Sequence, residues 1–249
     1  GAAAENLTRR NVFQGELKQV GIKQPGMIAV PSVRNDAAFL ATVVVSTSVV
    51  AVAALAILPG EWGFYTSYLV GGITIAVMGI GSTAPGLLQV IIDKFSQVFP
   101  DYKERVIRHE AAHFLVGYLM GVPVTGYDLG IGKEHTEFAE VKTQKRLIEG
   151  RLEDNEINAL SVVAVAGISA EGQVYEEVMG QTADLVDLQR ILLRAVNKLN
   201  DNSQQNMTRW AVFVASSLLR QYKKEHEAVM EGMSRGAPVI ELVKAIESV

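Results

Sequence analysis

The most specific chemical signal in this chain is His109-Glu110-Ala111-Ala112-His113. Histidines four apart on a helix stack on one face, so two imidazole nitrogens can reach one Zn²⁺ at about 2.0–2.1 Å. Glu110 follows the first histidine directly and is set to reach water rather than the ion. It is expected to be the general base for a zinc-bound water attacking a peptide carbonyl, with zinc lowering that water's pKa towards about 7.

A catalytic zinc needs a third protein ligand and an open position. The chain has no cysteine, which removes thiolate sites, disulfides and Cys nucleophiles, so the ligand must come from His, Asp or Glu. Of the two other histidines, His135 lies in a Gly-rich segment and could approach the pair. His226, within Lys223-Lys224-Glu225-His226-Glu227, reads as part of a solvated helix face. Glu171, Asp184 and Asp187 are the better candidates. Asp184 and Asp187 are three apart and share a helix face, so either could ligate while the other orients a histidine. Asp184 also reads as a helix N-cap.

These residues need helices to position them. Asp101 to about Met120 reads as a helix with Val106, His109, Ala112, His113, Val116 and Leu119 on one face, stopped by Gly121-Val122-Pro123. Val122 to Val141 reads as a small β-hairpin or sheet. Leu147 to Val178 reads as one long helix or two, with a very apolar middle. Thr182 or Asp184 opens another helix to about Asn200, Ser203 to Glu231 a further one, and Pro238 to Ser248 a short last one.

Ahead of this part the chain is different. Ala37 to Leu58 carries no charge, and no charge appears from Trp62 to Ile92. About 20 apolar residues span a bilayer core as a helix. These runs explain a mean hydropathy of +0.19 in a chain that is 49% hydrophobic. Trp62, Phe64, Tyr65 and Tyr68 sit where an interfacial aromatic belt would lie, Gly72-xxx-Ala76 is a small-xxx-small pattern, and Pro85 is expected to break or kink the second run. Arg9, Arg10, Lys18, Lys23 and Arg34 precede the first run; Lys94, Lys103, Arg105 and Arg108 follow the second; the loop between holds Glu61 alone. The positive-inside rule then puts both ends on the cis side. The expected fold class is mainly α. An N-terminal arm (1–36) containing a short helix near residues 5–20 leads into two transmembrane helices within 37–92 (about 37–58 and 65–82). A helical zincin-like peptidase domain (94–249) with a small β-hairpin or sheet follows. The Gly1-Ala2-Ala3-Ala4 start is expected to be a processed end. A net charge of −4 without a Lys/Arg-rich run gives no sign of nucleic-acid binding.

The soluble part resembles the peptidase domain of the FtsH-type membrane zinc metalloproteases. Arg108-His109-Glu110-Ala111-Ala112-His113 is similar to that family's zinc helix, which usually has Gly where Ala112 stands. Ala166-Gly167-Ile168-Ser169-Ala170-Glu171 resembles the family's Gly-Arg-Ala-Ala-Glu-Glu segment, and Val174 to Val178 the stretch after it. Gly180-Gln181-Thr182-Ala183-Asp184 resembles the Gly-Ala-Ser-Asn-Asp element whose last residue is the third zinc ligand; Asp187-Leu188-Gln189-Arg190 fits nearly as well. The resemblance covers residues 100–249 and implies one zinc held by His109, His113 and Asp184 or Asp187, with Glu110 catalytic and a polypeptide substrate. In the family an AAA ATPase lies between spans and peptidase. Here only about 15 residues lie between Leu87 and Tyr102, and the chain has no Gly-x-x-x-x-Gly-Lys-Ser/Thr loop, so no ATP is expected as cofactor. Short relatives of this kind are typical of chloroplasts. That implies a thylakoid or inner-envelope protein facing the stroma, with membrane lipid and other membrane-protein subunits as partners. The alternative reading is a non-proteolytic scaffold or assembly subunit of a larger, photosynthetic membrane complex.

Overall fold

The computed structural model describes residues 7–30, 32, 34–122, 124–129, 135–138 and 152–249. It is mainly helical, with few strands, and divides into two compact units. One comprises residues 1–32 and 103–249, the other residues 33–102.

The second unit is built from α2 (Arg34–Ile57), α3 (Trp62–Thr83) and α4 (Pro85–Ser96); α1 (Gln14–Gln19) belongs to the first unit. Helices α2 and α3 form a hairpin. Gly63 allows the close approach at its turn, because a Cβ there would stand 2.9 Å from the Ala54 carbonyl oxygen. The hydroxyls of the pair are satisfied internally: Thr47 Oγ1 and Thr74 Oγ1 are 2.8 Å apart, and Ser67 Oγ donates to the Ala51 carbonyl at 2.7 Å. The outward faces are apolar, with Val49, Val52, Leu69 and Ile75 exposed. Pro85 does more than kink the second run. It starts the separate helix α4 at a first-turn position, where its missing N–H costs nothing. Phe39 packs edge-on against Phe95, closing α4 onto α2. Arg34 forms a two-pronged pair with Asp101 at 2.8 and 3.3 Å.

The first unit is organised around α5 (Tyr102–Met120), whose residues from His109 to Gly117 are all buried. The apolar stretch after it is α6 (Asp154–Ala164) followed by α7 (Ala166–Val174), interrupted at Val165. The sequence expectation for residues 147–151 lies outside the described residues. Helices α8 (Gln181–Leu193), α9 (Asp201–Gln221), α10 (Lys223–Ser234) and α11 (Val239–Glu247) follow among the described residues; the expected single helix over 203–231 is divided at Tyr222. Strands β1 (Val124–Asp128) and β2 (His135–Phe138) pair antiparallel, Val124 opposite Phe138 and Asp128 opposite His135. The core contains Phe114, Leu115, Val162, Ile168, Trp210 and Leu242. It also takes in Val12, Leu17, Ile22 and Ile28, so the arm, with its short helix α1, packs onto the core.

Three helical stretches are long and apolar enough to cross a membrane: Arg34–Ile57, Trp62–Thr83 and Asp154–Val174. The third is 78% buried inside the protein, against 11% and 6% for the other two. Core packing therefore accounts for its apolarity.

His226 departs from expectation. It is 5% exposed, and its Nε2 lies 3.0 Å from the Arg108 carbonyl oxygen, tying α10 to α5. His226, Val229 and Met233 make the buried face of an otherwise charged helix. Burial, opposed by the hydrogen bond to the Arg108 carbonyl and helped by the Arg108 charge, pushes its pKa down from 6.5 to about 4. The folded pKa is the lower one, so between about pH 6.5 and 4 the unfolded chain binds more protons and stability falls as pH falls. His226→Gln keeps a donor for the carbonyl but does not titrate. Urea unfolding should show wild type losing about 2 kcal/mol more than His226→Gln between pH 8 and pH 5. Equal losses would place the titration elsewhere.

Candidate metal centre

The helix periodicity of α5 puts His109 and His113 one turn apart, their rings 4.9 Å apart between centroids. Each ring is oriented by a partner on the nitrogen facing away from the other. His113 Nδ1 lies 2.8 Å from the Val163 carbonyl, which can only accept, so this nitrogen carries the proton. His109 Nδ1 lies 2.8 Å from Glu171 Oε1. The other groups around Glu171 are all donors: the Met179 N–H at 3.1 Å, the Gly180 N–H at 3.3 Å, and the Arg105 guanidinium at 3.7 Å. Glu171 is therefore an acceptor, and His109 Nδ1 donates to it.

In the neutral tautomers both Nε2 atoms then present lone pairs. They face one another at 3.1 Å, and each lies 3.2 Å from Asp184 Oδ1. Three electron-rich atoms converge on one buried point. Among the described residues, His109, His113 and Asp184 form one group able to hold a metal ion, all three buried. The edges of 3.1–3.2 Å are close to the roughly 3.3–3.4 Å expected between ligands of a tetrahedral Zn²⁺ with bonds of about 2.0–2.1 Å. The donor set and its orienting carboxylate and carbonyl also suit such an ion.

Electrostatics gives the same sign. Burial alone would lower both histidine pKa values, but the Asp184 carboxylate overrides it. His109 is held well above its ordinary value, with Glu171 adding to the effect, and His113 is raised. Burial alone would raise Asp184, and the two imidazoles hold it far below the usual carboxylate range instead. Positive charge is strongly favoured at the convergence point, whether protons or a metal ion carry it.

Asp184 reaches the site from the first turn of α8. It does not cap the helix: Gly180 is the N-cap residue, and no side chain caps this end. Asp184 Oδ2 instead accepts the Ile168 N–H of α7 at 3.2 Å, which fixes the carboxylate. Asp187, the other proposed ligand, is not brought to the site. It lies on the exposed side of α8, paired with Arg190 at 2.8 Å. Glu171 is at the centre, orienting His109. Glu110 is 4% exposed, and its Oε2 accepts the Thr136 hydroxyl of β2 at 2.8 Å. His135 precedes Thr136 in the same strand.

Sequence reasoning passed over two glycines at this site. A Cβ at Gly167 or at Gly180 would overlap the His109 ring; for Gly180 the added atom would stand 2.7 Å from Nδ1. The backbones of α7 and of the α8 N-terminus thus clamp the imidazole from two sides. The signal was present in the Gly167 and Gly180 of the two matched segments, but nothing in a single sequence says what a glycine is making room for.

A bound ion stabilises the folded state in proportion to RT ln(1 + [L]/Kd), about 2.7 kcal/mol at 100 times Kd. Zn²⁺ should therefore raise the thermal midpoint of the wild-type protein by several degrees, and EDTA should reverse the rise. Gly167→Ala should abolish the shift by displacing His109. Calorimetry with metal analysis checks this; an undiminished zinc-dependent shift in Gly167→Ala would show that the ion binds elsewhere.

No family model, curated protein or solved structure matches this chain, so the case for the ion stands on the geometry of these side chains.

Proposed function

We propose that this protein is a membrane-anchored, ATP-independent zinc metallopeptidase homologue of the FtsH type, with a zincin-like peptidase domain. The observation that carries the reading is the convergence of His109 Nε2, His113 Nε2 and Asp184 Oδ1 at 3.1–3.2 Å, with Glu110 beside them on the same helix. Zinc, when bound, supplies Lewis acidity to a water nucleophile and a peptide carbonyl. Glu110 takes the proton of the attacking water and returns it to the leaving amine. The Thr136 hydroxyl holds the Glu110 carboxylate in place. Glu171 and the Val163 carbonyl keep both histidines in the ligating tautomer.

The membrane part of the reading rests on α2 and α3, whose apolar faces are left uncovered. Residues 1–32 and 103–249, which flank the hairpin in sequence, belong to one compact unit, which supports a hairpin with both ends on the same side. With the basic flanks, this favours two spans and a cis-side peptidase unit. A chloroplast setting, with the soluble unit in the stroma, follows from the family resemblance alone.

A second reading is a non-proteolytic scaffold or assembly subunit of a larger membrane complex, including a photosynthetic one. The burial of the centre favours it: His109 is 8% exposed, His113 9% and Glu110 4%, and structural zinc sites are closed where catalytic ones keep an open position.

The purified protein should hold about one zinc per chain and cleave unfolded polypeptides without ATP. Glu110→Gln should keep the zinc and lose cleavage by roughly 10²- to 10⁴-fold. Full cleavage by Glu110→Gln would sink the peptidase reading. One zinc per chain in a wild type that cleaves nothing and co-purifies with fixed partners would establish the scaffold.

A further inference from the structure

The arm ahead of the first apolar helix packs against the segment that frames the metal ligands. Leu17 and Ile22 are 1% and 2% exposed. From Val20 onward the arm follows the connection from α7 to α8. Gln173 Nε2 donates to the Val20 carbonyl at 3.1 Å, and the Lys23 N–H donates to the Gly172 carbonyl at 2.9 Å. Ser32 Oγ donates to Glu177 at 2.9 Å, and Gln181 Nε2 donates to the Val30 carbonyl at 2.6 Å. Gly172 eases this approach: a Cβ there would sit 3.3 Å from both Ile22 and Ile28, tighter than ordinary contact. The contacted residues interleave with those of the site. Gly172 follows Glu171, which orients His109, and Gln181, 1% exposed, follows Gly180 and lies one turn before Asp184 on α8.

We infer that residues 20–30 and Ser32 are a strap that positions Asp184 and Glu171, so that displacement of the arm would loosen the hold on a bound ion. The arm precedes α2, which begins at Arg34. The coupling is reciprocal: if the arm favours the ligating arrangement, the ion must favour the docked arm by the same factor. Only the consequence for zinc rests on the metal-site reading; the docking of arm to ligand segment does not.

The test is amide hydrogen exchange on the full chain in detergent, without and with Zn²⁺, alongside zinc competition against a chromogenic chelator. Gln181→Leu removes the donor to Val30 at similar volume. Ile22→Ala removes packing over Gly172. Arg190→Ala, on the exposed side of α8, is the control. Both arm variants should exchange at least tenfold faster over residues 179–185 in the metal-free protein. Residues 210–215 of α9 should remain as in wild type, and the control should change neither segment. Both arm variants should also bind zinc at least tenfold more weakly, and zinc should slow exchange of residues 20–30 in wild type but not in His113→Ala. Wild-type exchange over 179–185 in both arm variants would overturn the strap, and so would acceleration spread equally to residues 210–215. If wild type binds no zinc, the metal reading fails, and the metal-free exchange alone still decides the strap.

Discussion

Three lone pairs cannot be left facing one another in a buried place. Two imidazole nitrogens and a carboxylate oxygen within 3.1–3.2 Å repel unless positive charge stands among them, and burial removes the water that would screen them. Much of the first unit is arranged around this constraint. The Val163 carbonyl and Glu171 determine which nitrogens face inward. The Ile168 N–H fixes the carboxylate, and two glycines let the backbone close on the His109 ring. The cost of a buried carboxylate at Glu171, within an apolar helix, is offset by two backbone N–H groups, a guanidinium and an imidazole. Without positive charge at the centre, these devices would hold a repulsive cluster together.

The second unit obeys a different constraint. Its helices leave large apolar faces uncovered and satisfy their few hydroxyls internally, as lipid would require. The third apolar stretch, Asp154–Val174, is close in hydropathy to Trp62–Thr83 but carries the buried Glu171 and is surrounded by protein. Composition alone does not separate the two cases; what covers the helix does.

The sequence made some of this legible. A pentapeptide with period-four histidines declares its own helix, and uncharged runs of this length declare theirs. The choice between Asp184 and Asp187 was not legible. Residues three apart sit about 60° apart around a helix, close enough to share a face in a helical wheel and far enough for one to be buried and the other solvated. His226 was misread because its sequence neighbours are charged, although its spacing to Val229 and Met233 is that of a buried stripe. The burial of the arm left little signal either: its Val12, Leu17, Ile22 and Ile28 lie among polar residues, and its contacts are made with residues far along the chain. Long-range pairing of this kind leaves little local trace.

Glu110 bears on the choice between chemistry and scaffold. The ligand frame does not depend on it: the histidines are oriented by Val163 and Glu171, and its own described partner is a hydroxyl from the hairpin. Glu110 is 4% exposed and bound by the Thr136 hydroxyl, whereas Glu171 has two backbone N–H groups and a guanidinium around it. The place of Glu110 beside the ligands, yet outside the network that orients them, is the arrangement that the proposed proton transfer would need.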